Sequence, residues 1–290
     1  MTMNEYAEEW KSKARLIVSD GWKICQDQIL KDHILPYIGR QSIKSITPAH
    51  ISEVLKISRD RGHAPNTQKK VYNVLSKLFS DAVTFFEIIN KSPVRKRFHK
   101  PIIPEIERAC MDYEQSIVFL EYVMNDPLFG LPAWIQCLAG PRVSEVQALQ
   151  IKDFDFDRCR IKISKAYNKH TKKIQAFTKN KNHYYSPIPP MLAKYLETRL
   201  SGTGFACKGR WGGMISQRGF DQFLKRTSKV LGFDCGSSHL LRHACAKIFA
   251  EKGASDEDLQ KLLGHKSLQS TKTYIHRTDK NLFEISKKIA

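Results

Sequence analysis

Apolar positions in the first ninety residues recur every three or four residues, which is the spacing of a helix face, and no stretch there alternates as a strand would. The first helix is predicted to begin near Asn4. A second runs through residues 22–35 and is expected to stop at Pro36 and Gly39. The pattern therefore favours an all-helical first domain.

Prolines mark the start of two further helices. Thr47 is a favourable N-cap, and Pro48 suits the first helical position because its missing N–H would have no partner there. The helix after Pro65 has its apolar positions on one face: Val71, Leu75, Leu78, Phe79 and Ala82. Its lysines fall largely on other faces: Lys69, Lys70 and Lys77. Residues 1–92 are thus predicted to form a compact four-helix domain.

A basic, proline-containing connector follows. Residues 90–104 contain three prolines, five Lys or Arg and no acidic residue, so we expect an extended segment rather than a helix. The linker is placed at residues 93–111. Its Arg95, Lys96 and Arg97 would either lie along a phosphate backbone or belong to an ordinary solvated linker, and the pattern leaves both open.

The pattern changes again in residues 112–290. Helical spacing continues to about Leu149, two β-rich runs separated by polar turns occupy residues 153–167 and 172–189, and helices return from Pro190 to the end. The second domain is predicted to be mainly α with a small antiparallel β-sheet.

The net charge of the chain narrows the class of binding partner. The chain has 48 Lys and Arg against 29 Asp and Glu, a formal net charge of +19. Such a charge attracts a polyanion and keeps two copies apart unless it is neutralised. Nucleic acid is the leading partner, with a merely basic surface or an anionic membrane surface as the alternatives.

Several functional classes are disfavoured by what the sequence lacks. No apolar run is long enough to span a bilayer or to serve as a signal peptide, so we expect a cytoplasmic protein without membrane contact. The seven cysteines are scattered without a C-x-x-C pair, which disfavours disulfides and a zinc site. There is no G-x-x-x-x-G-K-[ST] loop, and no cofactor is expected.

Arg142 is the first candidate for chemistry. Gly140 and Pro141 are expected to open a helix with Arg142 in its first turn and with three residues facing the core: Val143, Val146 and Leu149. Glu145 would orient the guanidinium, although an Arg/Glu pair at this spacing is most often a surface ion pair.

Two later segments also carry candidate groups. Lys179 and Lys181 are predicted at the tip of a turn between two strands, where a lysine would reach a phosphate or simply be solvated. His239 and Arg242 follow a helix cap at Ser237 or Ser238, on one face of the first turn, which suits an anion. The helix turns Leu241, Ala244 and Ile248 inward and ends at Gly253. His239 and His243 would also resemble a metal pair, but no third ligand at a suitable spacing supports one.

The last motif lies near the C-terminus. Ser255 and Asp258 cap a helix with an apolar row of Leu259, Leu262 and Leu263, and Gly264 ends it before His265. A second short helix after Ser267 carries Tyr274, which by itself would more often be a core residue.

The order of these motifs resembles the tyrosine recombinase (phage integrase) family over essentially the whole chain. The matching elements are G-P-R-x-S-E at Arg142, T-K-N-K at Lys179, H-L-L-R ending at Arg242, L-G-H at His265 and T-x-x-Y-x-H at Tyr274. The resemblance implies a SAM-like core-DNA-binding domain followed by a catalytic domain.

It also implies the chemistry of a site-specific recombinase. Tyr274 would be the covalent nucleophile that forms a 3′-phosphotyrosine link, and Arg142 and Arg242 would clamp the phosphate oxygens. His239 and His265 would hydrogen-bond the phosphate and help manage the tyrosine's proton, and Lys179 would protonate the leaving 5′ oxygen. The reaction would need neither ATP nor metal.

The resemblance implies partners as well: double-stranded DNA with core-type sites, a homotetramer that passes through a Holliday junction, and a directionality factor or host DNA-bending protein. The host would be a phage or another mobile element. Lys179 rather than Lys181 is chosen by its distance to Pro187, and Lys181 is then a DNA contact. The family's usual residue before the first arginine is replaced by Pro141, which puts the local turn and activity in question.

Two alternative functions and the role of the tail remain open from the residues. The chain could be a DNA-binding relative without activity, which the retained polar positions argue against, or a type IB topoisomerase with the same chemistry. The tail at residues 275–290 would dock either on a neighbouring subunit or on its own chain.

Overall fold

The computed structural model describes residues 1–102, 110–176 and 183–264. The chain divides into two compact units, Met1–Glu107 and Arg108–Ala290. Both are mainly helical, and the second carries short antiparallel strands, which confirms the predicted fold class. Across the described ranges, every helix is either too short or too polar to cross a bilayer.

The first unit contains the four predicted helical segments and one further short helix. Its bounds are α1 Met3–Lys13, α2 Asp20–Ile29, α3 Leu35–Ile38, α4 Pro48–Asp60, α5 Pro65–Thr84 and α6 Lys96–His99. The apolar face predicted for α5 is fully buried. Tyr6 of α1 donates its hydroxyl to the Leu78 carbonyl at 2.7 Å, and the Trp10 indole N–H donates to an Asp81 Oδ at 2.7 Å. These two bonds satisfy the polar ends of aromatic side chains in the core.

The prediction that Pro36 stops the second helix is wrong. A π-helical turn, Leu30–Ile34, joins α2 to α3, and the Leu35 N–H donates to the Leu30 carbonyl. Proline lacks an N–H, and its ring clashes with the carbonyl four residues earlier. The wider turn directly before Pro36 shifts those carbonyls, so the chain keeps coiling until Gly39.

The prediction of a fully extended connector is also wrong, because residues 96–99 form α6. Pro93 and Pro101 lie outside this turn and so do not prevent it. His99 is buried: its Nδ1 accepts the Arg95 N–H at 2.8 Å, and its Nε2 lies 3.1 Å from the Ser52 hydroxyl on α4. Burial lowers the pKa of His99. The first part of the connector is thus fastened to the first unit.

The helices of the second unit surround a core centred on α8 and α12. Their bounds are α7 Tyr113–Val123, α8 Gly130–Ala139, α9 Val143–Val146, α10 Pro190–Glu197, α11 Gln217–Leu231, α12 Ser238–Glu251 and α13 Asp256–Leu262. Nearly every residue of α8 is buried, and Trp134 stacks on Tyr195 of α10 with ring centroids 4.1 Å apart. A helix that is buried all round serves as the central element of its domain.

The strands form two small antiparallel sheets. β1 Phe154–Asp155, β2 Arg160–Ile163 and β5 Tyr184–Pro187 form one, in the order β1-β2-β5, and β3 Ala166–Asn168 pairs with β4 Lys173–Gln175 in the other. The strands on either side of the predicted lysine-bearing turn, β4 and β5, therefore do not pair with each other. Lys179 and Lys181 themselves lie outside the described residues.

Candidate active site

Arg142 lies between two helices rather than inside one. Gly140 ends α8 with φ +74°, and α9 begins at Val143, so a helix follows Gly140 and Pro141 as predicted, but Arg142 is its N-cap rather than a residue of its first turn. A Cβ on Gly140 would come within 3.1 Å of Cys245 Sγ. The glycine is required both by its left-handed backbone and by the close approach of α8 to α12.

Glu145 is the centre of the polar cluster. Its carboxylate is 1% exposed and accepts three hydrogen bonds: from the Arg142 backbone N–H at 2.7 Å, from Arg142 Nη1 at 2.9 Å and from the Tyr184 hydroxyl at 2.8 Å. The Arg142–Glu145 pair therefore forms as the spacing suggested, but it is not a surface pair. Bonds to an ionised acceptor in a buried setting hold their donors firmly.

Arg242 reaches the same carboxylate from the other side. It is the fifth residue of α12, in the second turn rather than the first, and its side chain is 1% exposed. Its Nη1 donates to the Gly140 carbonyl at 2.5 Å and lies 4.0 Å from Glu145 Oε2, and its Nη2 donates to the Leu263 carbonyl. Arg242 thus ties together the ends of α8 and α13 beside Glu145.

Tyr184 is a member of the cluster that sequence reasoning missed. Burial, followed by the nearby Glu145 carboxylate, raises the pKa of Tyr184 well above its ordinary value. A Cβ on Gly264 would lie 2.7 Å from the Tyr184 ring, so the chain after α13 passes directly over it. Strand alternation places Tyr184 and Ser186 on one face and Tyr185 on the other, but the sequence does not say which face is buried.

His239 lies near the cluster in sequence but differs in exposure. It is exposed at the start of α12, whereas Arg242, three residues later in the same helix, is buried. The His239 and His243 rings pack edge to face with centroids 4.7 Å apart. Ser237 caps the helix, accepting the Leu240 N–H at 3.4 Å. Within the described ranges, no group of three or more His, Cys, Asp or Glu side chains forms a metal site.

Two of the predicted catalytic residues at the C-terminal end, His265 and Tyr274, lie outside the described residues. The described part ends at Gly264, whose φ of +56° ends α13 as predicted. Gly264 is the residue directly before His265 in the chain and lies against Tyr184. The polar cluster therefore contacts the point from which the last two motifs continue.

The cluster has a definite electrostatic character. Two guanidinium groups approach one carboxylate, so Arg142, Arg242 and Glu145 together carry a charge of +1. The Arg142 side chain is 24% exposed, which leaves it accessible from solvent. A positive, preorganised cluster with one accessible arginine is suited to binding an oxyanion such as a phosphodiester.

Sequence relationships identify the family of the chain. The profile of the phage integrase family matches residues 133–281, and that of the phage integrase N-terminal SAM-like domain matches residues 2–57. The chain belongs to the phage integrase family. Tyrosine recombinase XerC of Lactobacillus delbrueckii subsp. bulgaricus is 30% identical over 229 residues, covering 72% of this chain and 74% of that protein. The XerC of Corynebacterium glutamicum is 30% identical over 148 residues, and there the chain spans 45% of the relative's length.

Solved structures share the fold. A Tn1549 transposon integrase in complex with circular intermediate DNA superposes with a TM-score of 0.83 at 18% identity, over 100% of both chains. A lambda integrase dimer bound to a COC′ core site gives a TM-score of 0.74 at 17% identity, over 97% of this chain and 78% of that one. These likenesses establish that this phage integrase family chain has the family's two-part fold.

Most of the residues in the first unit that are predicted to contact DNA are exposed. Lys69 and Lys70 are exposed on α5, whereas Lys77 is bound to Asp81 at 2.6 Å. In the connector, Arg95 is half-buried, and Lys96 and Arg97 are exposed. Because Lys77 already has a carboxylate partner, it is the weakest phosphate candidate of the set.

Proposed function

We propose that this chain is a site-specific DNA recombinase that cuts and rejoins strands through a 3′-phosphotyrosine intermediate. The observation that carries the proposal is the approach of Arg142 and Arg242, a hundred residues apart in sequence, to one buried carboxylate. Two guanidinium groups held beside one buried carboxylate, one of them 1% exposed, are costly to maintain, and an anionic substrate gives that arrangement a use. The relatives named as tyrosine recombinases support the same activity.

In the proposed reaction, the Tyr274 oxygen attacks a phosphorus atom of the DNA backbone, forming an O–P bond while the bond to the 5′ oxygen breaks. The leaving oxygen takes a proton from Lys179, and the tyrosine's proton passes to His265 or His239 or to solvent. A 5′ hydroxyl of the partner strand then attacks the phosphotyrosine and regenerates Tyr274. One phosphodiester replaces another, so the sequence of steps requires no external energy source.

The arginines act on the charge that develops during this exchange. Arg142 would meet a non-bridging phosphate oxygen from the solvent side of the cluster, and Arg242 would meet the phosphate from the protein side. Glu145 and Tyr184 serve as positioning residues, because Glu145 holds the Arg142 guanidinium and the Tyr184 hydroxyl in turn holds the Glu145 carboxylate. Donors fixed before the reaction avoid reorganisation as the transition state forms.

We propose that the two parts of the chain divide the work on DNA. Residues 1–92 bind core-type sites on double-stranded DNA, residues 93–111 follow the phosphate backbone, and residues 112–290 perform catalysis. The exposed basic side chains Lys69, Lys70, Lys96 and Arg97 support the first two assignments. Affinity should therefore fall steeply with salt.

We also propose assembly into a homotetramer that joins two duplexes through a Holliday junction and serves a phage or another mobile element. The lambda integrase tetramer bound to a Holliday junction, a chain of similar fold, supports the assembly. Neutralisation of the +19 charge by DNA would allow four copies to approach each other. A directionality factor or a DNA-bending protein would then set the direction of the reaction.

The decisive experiment is covalent trapping. Duplexes are enriched from a randomised pool by binding to Tyr274→Phe protein, nicked so that cleavage releases a short strand, incubated with wild type, and resolved in SDS. We expect a DNA-linked band that is absent for Tyr274→Phe and retained for Tyr113→Phe, a tyrosine on α7 outside the cluster.

Later assays separate the alternatives. Strand exchange between two duplexes identifies a recombinase, whereas relaxation of supercoiled plasmid without exchange identifies a type IB topoisomerase. Binding of the enriched duplexes without any covalent band would leave a DNA-binding protein without activity, and the proposal would be abandoned.

A further inference from the structure

Trp211, in the loop between α10 and α11, is 90% exposed. Of the chain's four tryptophans, Trp10 and Trp134 are buried and Trp22 is partly buried. Single exposed apolar side chains are common on protein surfaces, so exposure alone assigns nothing. The construction of the loop is what makes Trp211 informative.

The loop is a tight hairpin that holds its tip outward. The Gly209 N–H donates to the Gly213 carbonyl at 2.5 Å, the Gly212 N–H donates to the Gly209 carbonyl at 2.9 Å, and Lys208 pairs with Met214 in an antiparallel bridge. A Cβ on Gly209 would come within 2.6 Å of a carbonyl oxygen, so the turn depends on glycine there. A preformed tip loses little conformational entropy on binding.

The base of the hairpin is fixed to the elements of the polar cluster. Ile215 is buried, and its carbonyl accepts the Gln147 side-chain N–H at 2.7 Å, directly after α9. Farther along, Asp221 of α11 accepts the Ser238 N–H at 3.0 Å, at the start of α12. Because Trp211 is four residues from Ile215, its Cα lies within about 14 Å of Ile215 even in a fully extended chain. The tip is therefore tethered within that distance of a residue that is bonded to the end of α9, the helix that Arg142 caps.

Charge indicates what the tip contacts. Residues 198–220 contain no acidic residue, and exposed Lys208, Arg210 and Arg218 lie on or beside the hairpin. The Arg210 guanidinium lies 5.6 Å from the centre of the Trp211 ring. A cation beside an exposed aromatic ring, in a segment without an acidic residue of its own, suits a ligand that offers phosphates together with flat apolar faces.

We propose that the Arg210–Trp211 tip is a DNA contact in which Trp211 packs against the face of a base at a step that the complex opens. Lys208 and Arg210 contact the flanking phosphates. Stacking on a base face tolerates any sequence, so the tip contributes affinity and local opening rather than base readout. This inference rests on the proposed function for DNA as the partner, but it does not require strand cleavage.

Acrylamide quenching of tryptophan fluorescence tests the contact on the full chain. Trp211 is the exposed tryptophan, so it dominates the quenchable emission of free protein. We expect the enriched duplexes to lower the quenching constant of wild type, and Trp211→Phe to remove most of that change. Trp211→Ala should weaken duplex binding by about tenfold. Tyr122→Ala, which removes an aromatic of 51% exposure from α7, should leave binding unchanged.

A salt titration adds a second measurement. Arg210→Gln should reduce the slope of log affinity against log salt by about 1, the value for one lost phosphate contact. Unchanged quenching with DNA, together with wild-type binding by Trp211→Ala, would overturn the inference even if covalent trapping succeeded. If DNA shields Trp211 but no covalent band forms, the DNA contact stands and the recombinase proposal fails.

Discussion

Replacing Glu145 by glutamine tests the electrostatic account of the cluster. The substitution keeps the shape of the side chain but removes the charge that faces the Arg142 guanidinium at 2.9 Å and Arg242 at 4.0 Å. The new amide also brings its own N–H donors toward the Tyr184 hydroxyl and the Arg142 backbone N–H. Both of these groups donate to the carboxylate in wild type, so a donor would face a donor. The substitution leaves a buried guanidinium without its countercharge.

Breaking a buried pair from one side costs about 3–5 kcal/mol, because the other charge stays in a poorly solvated position. Arg142 is 24% exposed, so water solvates part of its charge once the carboxylate is gone. Arg242 is 1% exposed, so its charge is left almost unsolvated. For a unit of this size, about 2–4 °C of melting temperature is lost per kcal/mol. The second unit of Glu145→Gln should therefore melt about 6–20 °C below wild type.

Scanning calorimetry of wild type, Glu145→Gln and Glu121→Gln measures this loss. Glu121 is an exposed carboxylate on α7 and should change stability by less than about 0.5 kcal/mol. Covalent trapping on the same proteins, below the melting transition of the variant, should be weakened only for Glu145→Gln. If that variant melted within about 2 °C of wild type, the carboxylate would not be holding the arginines and the reasoning would be refuted.

Three further predictions follow from particular contacts. Gly264→Ala should lower the melting temperature and slow covalent trapping more than Gly232→Ala, because both glycines have positive φ but only at Gly264 would the new Cβ meet a neighbour, the Tyr184 ring. Equal losses would contradict this. Because burial lowers the pKa of His99, the unfolded chain binds more protons below about pH 6.5, so stability falls as the pH falls there. Between about pH 7.5 and about pH 5, the free energy of unfolding by urea should change less for His99→Gln than for wild type. An equal change in both proteins would exclude His99 as a source of the pH dependence. Trp10→Phe removes an N–H donated to a buried carboxylate and should cost about 1.5–3 kcal/mol in chemical denaturation, whereas a loss below about 0.5 kcal/mol would mean that water replaces the bond.

Much of the helical framework was predictable because its causes are local. The N-caps at Thr47, Ser237 and Ser255 and the end of α13 at Gly264 depend on residues within one turn of each other. The buried face of α5 follows from a periodicity of about 3.6. Pro36 was misjudged because a π-helical turn, which accommodates the ring, leaves no sequence signal that we recognise.

The candidate site was only partly predictable. Motif order identified Arg142, Glu145 and Arg242 as important, but not that Glu145 is buried or that Arg242 bonds to two main-chain carbonyls. Tyr184 was missed because two adjacent tyrosines offer the same alternation, and only packing decides which faces the core.

The sequence by itself determined the class of fold, the positions of most helices, the positive charge and the family. These properties arise from composition, from short periodicities and from motifs, all of which are read along the chain. Tertiary structure decided the roles at the cluster. Glu145 becomes the centre of the site, and Gly140 and Gly264 become necessary, because helices distant in sequence pack closely enough to exclude water and bring their ends within hydrogen-bond distance.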